Sequence, residues 1–442
     1  MTRHCVFAAL YLMTALALAG AAEKRKIATL SFADFIDPSV SKTASLSSKD
    51  AIAKTFRSLR EQGFTDVYWR VSGEGHSVTR LYYFNAAAAD QMAAAAKEYR
   101  DTPYAWDPYE LRWPVEAAHR AGLKLYAWIV PYNEGVPPGS YARYGDVGPT
   151  DSGYVTEQPA RNWPYVVALR TASGGEYYET NFTWQSRFVH DHPQYQSIDR
   201  VQKRYHDGVL EWAYPQARQY WVNDVTEILA KYDVDGIYMD TRTELMSPEH
   251  ADQYGFNEPV VKEFEKRYGV NILQEDFDVE LWRGLRGEYF TLFLEELARV
   301  IHGKGKSFSL GTSRGDYIGF PLGNMKLEWR KWISRKTVDE FHVDEHGWGW
   351  GRQGYGYVTD YATSRGLKPL EAMLREDYGP LCRQYGVKLY FKCRSSKPRA
   401  ITDECCHGRA TPHALTSQPD WCQRVAALPE IDGVIQGQRM VP

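Results

Sequence analysis

The chain has 442 residues, 43% hydrophobic and 25% charged, the balance of an ordinary folded domain and not of a disordered or fibrous chain. A formal net charge of −3 with no long basic run excludes the electrostatic footprint of a nucleic-acid binder and of a protein drawn to an anionic membrane surface. Aromatic residues reach 14%, with 14 Trp and 31 Tyr. That surplus belongs either to dense core packing or to surface rings, which suit the flat faces of sugars.

The chain opens with a processing signal. Arg3 and His4 form a small basic region, Val6 to Ala19 an apolar stretch too short to span a bilayer, and Ala19-Gly20-Ala21 the small residues of a cleavage site. Residues 1–22 are expected to be removed, leaving a single unit, 23–442, that is secreted or periplasmic.

Strand-like and helix-like runs then alternate. Ile27 to Phe32 reads as a first strand and Ser47 to Gln62 as a helix stopped by Gly63. Thr65 to Ser72 is a second strand, Ala88 to Tyr99 an extra surface helix, and Pro108 to Ala121 the next barrel helix. Leu123 to Pro131 is a third strand. A helix from Tyr214 to Tyr232 leads to a fourth, Val234 to Asp240. Helices at Glu258 to Tyr268 and Val279 to His302 precede a fifth strand, Ser307 to Thr312. Lys326 to Lys336 reads as a helix, Val338 to Asp344 as a sixth strand, Leu370 to Tyr385 as a helix, and Val387 to Cys393 as a seventh strand. Asp420 to Leu428 and Asp432 to Gln436 supply the last helix and an eighth strand.

Eight strands with helices between them spell an α/β fold, a (β/α)8 TIM barrel. It carries a long insertion after strand three, about residues 132–208. That segment is rich in Gly, Pro, Tyr and Trp, and reads as a substrate-covering loop system or a packed decoration.

In such a barrel the acting side chains stand at the carboxyl ends of the strands. Strand two offers Arg70, and strand three Trp128, Asn133 and Glu134. Strand four offers Tyr238, Asp240, Arg242 and Glu244, and strand five Arg314. Strand six offers His342, Asp344, Glu345 and His346, and strand seven Lys392 and Arg394. Alternation puts Tyr238 with Asp240 on one face, and His342 with Asp344 on one face. If those faces point inward, both aspartates look into the barrel mouth. Glycoside hydrolysis needs two carboxylates, one donating a proton and one acting as nucleophile or base. Asp240 with Asp344 or Glu345 meets that need, with Glu134 and Glu244 in reserve. Glu340 shares the parity of Asp344 but lies deeper and reads as structural.

The loop Gly347 to Tyr357 alternates glycine with Trp348, Trp350, Tyr355 and Tyr357, a stacking platform for sugar rings or a tight glycine turn. No Gly-rich phosphate fingerprint, HExxH or GxSxG motif is present, so no cofactor or metal is expected. Cys382, Cys393, Cys405, Cys406 and Cys422 cluster late in the chain and read as one or two disulfides of an exported protein.

The segments GLKLYAWIVPY (122–132), HPQYQSID (192–199), AYPQARQYWVNDVTEILAKYDVDGIYMD (213–240) and NEPVVKEFEKRYGVN (257–271) resemble the bacterial family-10-like glycosyl hydrolase-like TIM-barrel proteins. The resemblance covers the centre of the barrel and implies a secreted carbohydrate-active enzyme with an acidic residue after strand four, here Asp240. The chain departs from the xylanase and cellulase clan, since strand four ends in Asp and strand seven in Lys392-Cys393-Arg394. The expectation is a glycoside hydrolase with a poly- or oligosaccharide as its partner. A non-catalytic carbohydrate-binding barrel and a polysaccharide lyase are the alternatives.

Overall fold

The computed structural model describes residues 24–30, 46, 49–73, 76–77, 82–84, 111–135, 167–170, 176–179, 184–241, 252–319, 322–344, 370–393 and 421–436. Eight parallel strands close a barrel: β1 (Arg25–Leu30), β2 (Asp66–Arg70), β3 (Lys124–Ile129), β4 (Gly236–Asp240), β5 (Ser307–Thr312), β6 (Glu340–Asp344), β7 (Lys388–Cys393) and β8 (Gly433–Gln436), with β8 paired back to β1. Each strand is short and rich in β-branched and aromatic residues, and β2 and β4 are buried along their whole length, as strands covered on both faces must be.

Helices cover the outside: α1 (Lys49–Glu61), α2 (Arg112–Arg120), α3 (Pro215–Lys231), α4 (Glu258–Tyr268), α5 (Val279–Gly303), α6 (Trp329–Ser334), α7 and α8 (Trp421–Ala426). The seventh runs from Leu370–Met373 through a π-helical turn, Leu374–Tyr378, into Gly379–Tyr385. Their inner faces carry the spacing that the sequence shows. In α1, Ile52, Phe56 and Leu59 are buried on one side. The stop of α4 is local chemistry: Gly269 takes the left-handed conformation at φ 70°, which a side chain would disfavour. Asp278 starts α5 by accepting from the Glu280 and Leu281 amides.

A short structural repeat organises the barrel base. The side chain just before each even strand accepts a hydrogen bond from the odd strand beside it. Thr65 takes Lys26 N (3.2 Å), Asp235 takes Leu125 N (2.8 Å), Asp339 takes Phe308 N (2.8 Å) and Asp432 takes Leu389 N (2.9 Å). The backbone N–H of Thr65, Asp235, Asp339 and Asp432 donates back to the carbonyls of those same residues. The segments FTDVYWR, VDGIYMD, VDEFHVD and IDGVIQ are thus equivalent, position by position.

The long connection after β3 is built partly from antiparallel strand pairs. Val167–Arg170 pairs with Glu176–Glu179, Trp184–Ser186 with Tyr82–Phe84 of the preceding connection, and Gln196–Ile198 with Tyr205–Leu210. The last hairpin is tied to the start of α4, where Asn257 bonds both Ile198 N and Gln196 O. It ends in a buried pair, Arg286 with Glu211 at 3.2 Å.

One expected helix is shorter than its sequence pattern. Lys326 to Lys336 splits into the end of a second hairpin, Tyr317–Gly319 with Gly323–Lys326, and the helix α6. Gly323 turns that hairpin at φ 96° and commits Lys326 to a strand. The signal residues, the Ala88–Tyr99 helix and the Gly347–Tyr357 loop lie outside the described residues, as do Cys405 and Cys406. The side chains of Cys393 and Cys422 are likewise outside. Cys382 is a buried free thiol.

Candidate active site

The barrel interior is layered, and the layers follow from the register. Arg70 stands opposite Trp128, and Trp128 opposite Tyr238, one inward position below Asp240. Asp240 stands opposite Gly311, and Gly311 opposite His342, one inward position below Asp344. Strand tilt in such a barrel advances the level by about two residues every two strands, the shear of about 8 that closes the fold. Arg70, Asp240 and Asp344 therefore share the top inward layer. Tyr68, Tyr238 and His342 form the layer beneath it, and Asp66, Gly236, Glu340 and Gly433 the base.

Packing agrees with this. Tyr68 stacks on Tyr238 at 4.4 Å between ring centroids, while His342 lies 5.3 Å from Tyr238 and 5.6 Å from Tyr68. Trp128 and Tyr238 meet at 6.0 Å. Tyr238, Trp128 and His342 belong to a packed aromatic floor. His342 Nε2 bonds to Ser309 Oγ and to Tyr68 Oη, and burial lowers its pKa.

The base is polar and fully committed. Arg25 bridges Asp66 and Glu340 and donates to Tyr390 Oη at 2.6 Å. Tyr126 and Tyr68 donate to Glu340 at 2.9 and 3.1 Å. Arg25 and Ser309 were not singled out in the sequence. Their only signal there is inward parity on strands one and five.

At the mouth, Asp240 accepts a hydrogen bond from Lys392 Nζ at 3.0 Å, an ion pair that crosses the interior from β7 to β4, with both side chains 8% exposed. Lys392 also lies 6.0 Å from the Trp128 ring, and Arg70 5.5 Å from it. Arg70 donates to the Ser72 carbonyl at 3.1 Å. Asp344, in register with Lys392, ends β6 at this level. So three of the expected side chains, Arg70, Asp240 and Lys392, are brought to the mouth around Trp128, and the side chain of Asp344 lies outside the described residues.

Others are placed elsewhere. Glu134 is buried beneath the hairpin after β3, where its amide donates to Gly208 O and its carboxylate accepts from Tyr220 of α3 at 3.2 Å. Asn133 is buried beside it in the chain, and Arg314 is buried after β5, where the amide of Gly315 donates to Tyr378 Oη. Arg242, Glu244, Glu345, His346, Trp348, Trp350 and Arg394 lie outside the described residues. Among the described residues no three His, Cys, Asp or Glu side chains converge to hold a metal ion.

The chain is thus a closed parallel barrel with a carboxylate and a facing cation at its carboxyl end. The catalytic domain of a β-amylase from Paenibacillus polymyxa shares the fold, with a TM-score of 0.50 at 9% identity over 94% of this chain and 93% of that one. The PgaB (BpsB) glycoside hydrolase domain from Bordetella bronchiseptica aligns over 95% of this chain and 94% of its own at a TM-score of 0.47 and 10% identity. Residues 178–345, from the hairpin before α3 to the end of β6, match the model of the glycosyl hydrolase-like 10 family. No curated protein matches the sequence.

Proposed function

We propose that this chain is an exported glycoside hydrolase that cleaves a poly- or oligosaccharide with a pair of carboxylates. Asp240 is the base or nucleophile, and Asp344 or Glu345 the acid. The observation that carries this reading is the shared top layer. Asp240 stands at its β4 corner as an ion-paired carboxylate, and Asp344 holds the equivalent corner on β6. Two strand spacings separate their backbones by roughly 10 Å. Inward side chains at adjacent corners of such a layer approach each other, as the Tyr238 and His342 rings do one layer below at 5.3 Å. Separations of about 5–10 Å cover both the retaining and the inverting geometries.

In this reading Arg70 and the loop residues Arg242, His346, Trp348, Trp350 and Arg394 contact the sugar, with Asn133, Glu134 and Arg314 framing the connections after β3 and β5. Trp128, Tyr238 and His342 shape the floor. Export accords with the N-terminal signal, and disulfides among Cys393, Cys405, Cys406 and Cys422 accord with an oxidising compartment.

The test is a screen of the full chain against a polysaccharide panel, repeated with Asp240→Asn. The variant should fold and lose at least roughly a thousandfold in turnover, the scale of losing a principal catalytic group. Undiminished turnover would reject Asp240. A binding barrel is the second reading, since a barrel that only binds needs no second carboxylate opposite Asp240. Saccharide binding without turnover by the wild-type chain would select it.

A further inference from the structure

Lys392 is an unusual residue to find at its position. It lies on β7, with β6 and β5 between its strand and β4, yet its ammonium spans the interior to Asp240 at 3.0 Å. Both side chains are nearly buried. Withdrawing two charges from water costs several kcal/mol per ion before their attraction is counted, so a buried pair is a poor way to stabilise a barrel that has aromatic residues for the purpose. The layer below shows that alternative, with Tyr68, Tyr238, His342 and Tyr390 packed ring to ring. The pair instead has a consequence for chemistry. It holds the Asp240 carboxylate by its Oδ2 atom from the far wall of the barrel, and fixes one orientation of a short side chain. Placing a proton on Asp240 would forfeit the ion pair, whereas a general acid must carry its proton at rest.

We propose that Lys392 is a positioning residue that fixes Asp240 in the role of base or nucleophile. The inference rests on the proposed glycoside hydrolase reading and adds to it an assignment of roles.

The experiment uses the full chain and Lys392→Met, Lys392→Arg and Asp240→Asn. On a substrate found in the panel, Lys392→Met should lower kcat at least about tenfold while KM stays within about threefold. Lys392→Arg should recover most of kcat, because a guanidinium can still reach the carboxylate. A rise in KM alone, or an unchanged kcat, overturns the inference while leaving Asp240→Asn inactive and the functional reading intact. Normal turnover by Asp240→Asn sinks the functional reading itself, and the role assignment with it. Should Lys392→Met fail to fold, the split between kcat and KM in Lys392→Arg decides the question. A melting cycle of Asp240→Asn, Lys392→Met and the double variant reads the pair without any substrate. The two losses should overlap strongly, and fully additive losses would overturn the proposal.

Discussion

Gly236 and Gly433 occupy two of the four corners of the barrel base, and the acids Asp66 and Glu340 occupy the other two. The alternation has a steric cause. A Cβ on Gly236 would lie 2.4 Å from Tyr126 Cε1 and 2.6 Å from the Ser307 carbonyl, and one on Gly433 would lie 2.3 Å from the Arg25 carbonyl and 2.8 Å from the Tyr390 ring. The missing side chains admit two tyrosines, whose hydroxyls reach the Arg25–Glu340 pair. Gly236→Ala should therefore destabilise the chain by roughly 2–3 kcal/mol, since backbone on one side prevents simple repacking. Chemical denaturation checks this, and an unchanged midpoint would show that the tyrosine can swing aside. The same residue-scale logic marks the limit of sequence reading at the site. Parity alone puts Asp240 on one face with Tyr238, and Asp344 on one face with His342 and the deeper Glu340, but which face is inward takes the structure. Nor does parity show that Lys392 would cross the barrel to Asp240, because that contact joins strands far apart in both sequence and sheet order.

At the scale of elements, all eight strands and the covering helices were legible, because each is a short apolar run or an amphipathic period bounded by turn residues. The antiparallel hairpins Gln196–Ile198/Tyr205–Leu210 and Tyr317–Gly319/Gly323–Lys326 were not, since segments of three to six residues carry too few alternations to stand out. The equivalence of the even strands was also present in the text of the sequence, as VDG, VDE and IDG, but its meaning required the hydrogen bonds. Two of the three aspartates also face a histidine at the end of a covering helix, His119 with Asp235 and His302 with Asp339, each at 2.9 Å. The hydrogen bond to Asp339 raises the pKa of His302 above its ordinary value, against partial desolvation. The imidazolium is thus favoured in the folded chain. Its contribution is complete below the ordinary histidine range and disappears as pH rises through the folded value. With His302 37% exposed, solvent screening limits the effect to about 0.5 kcal/mol or less. Urea midpoints of wild type and His302→Gln should therefore differ slightly at pH 5.5 and converge by pH 8.5. A constant difference across that range would assign His302 a packing role instead.

For the molecule as a whole, the mouth and the base of the barrel are built on opposite plans. The mouth carries an ion pair, Asp240 with Lys392, while the base locks distant strands together through a network of one cation and two acids. Arg25 begins β1, Asp66 begins β2 and Glu340 begins β6, so one guanidinium ties β1 and β2 to β6 across the barrel floor. Burial opposes the charge on Glu340, but His342 and the Arg25 guanidinium outweigh it and bring the carboxyl down to about 2 from 4.5. A depressed carboxyl stabilises the fold above its ordinary value, and that contribution is lost as pH falls through the folded value. The window therefore runs from about pH 4.5 down to about 2. Replacing Glu340 with Gln removes one partner of a buried pair and leaves Arg25 facing a neutral amide, with an expected loss of roughly 3 kcal/mol at pH 7. At pH 3 the unfolded wild-type chain already holds the proton that the folded chain still refuses, so the gap between wild type and Glu340→Gln should shrink by roughly half. Denaturation of both proteins at the two pH values measures this directly. An equal gap at pH 7 and pH 3 would mean that Glu340 acts through shape and neutral hydrogen bonds, and that the barrel is held closed by its tyrosines alone.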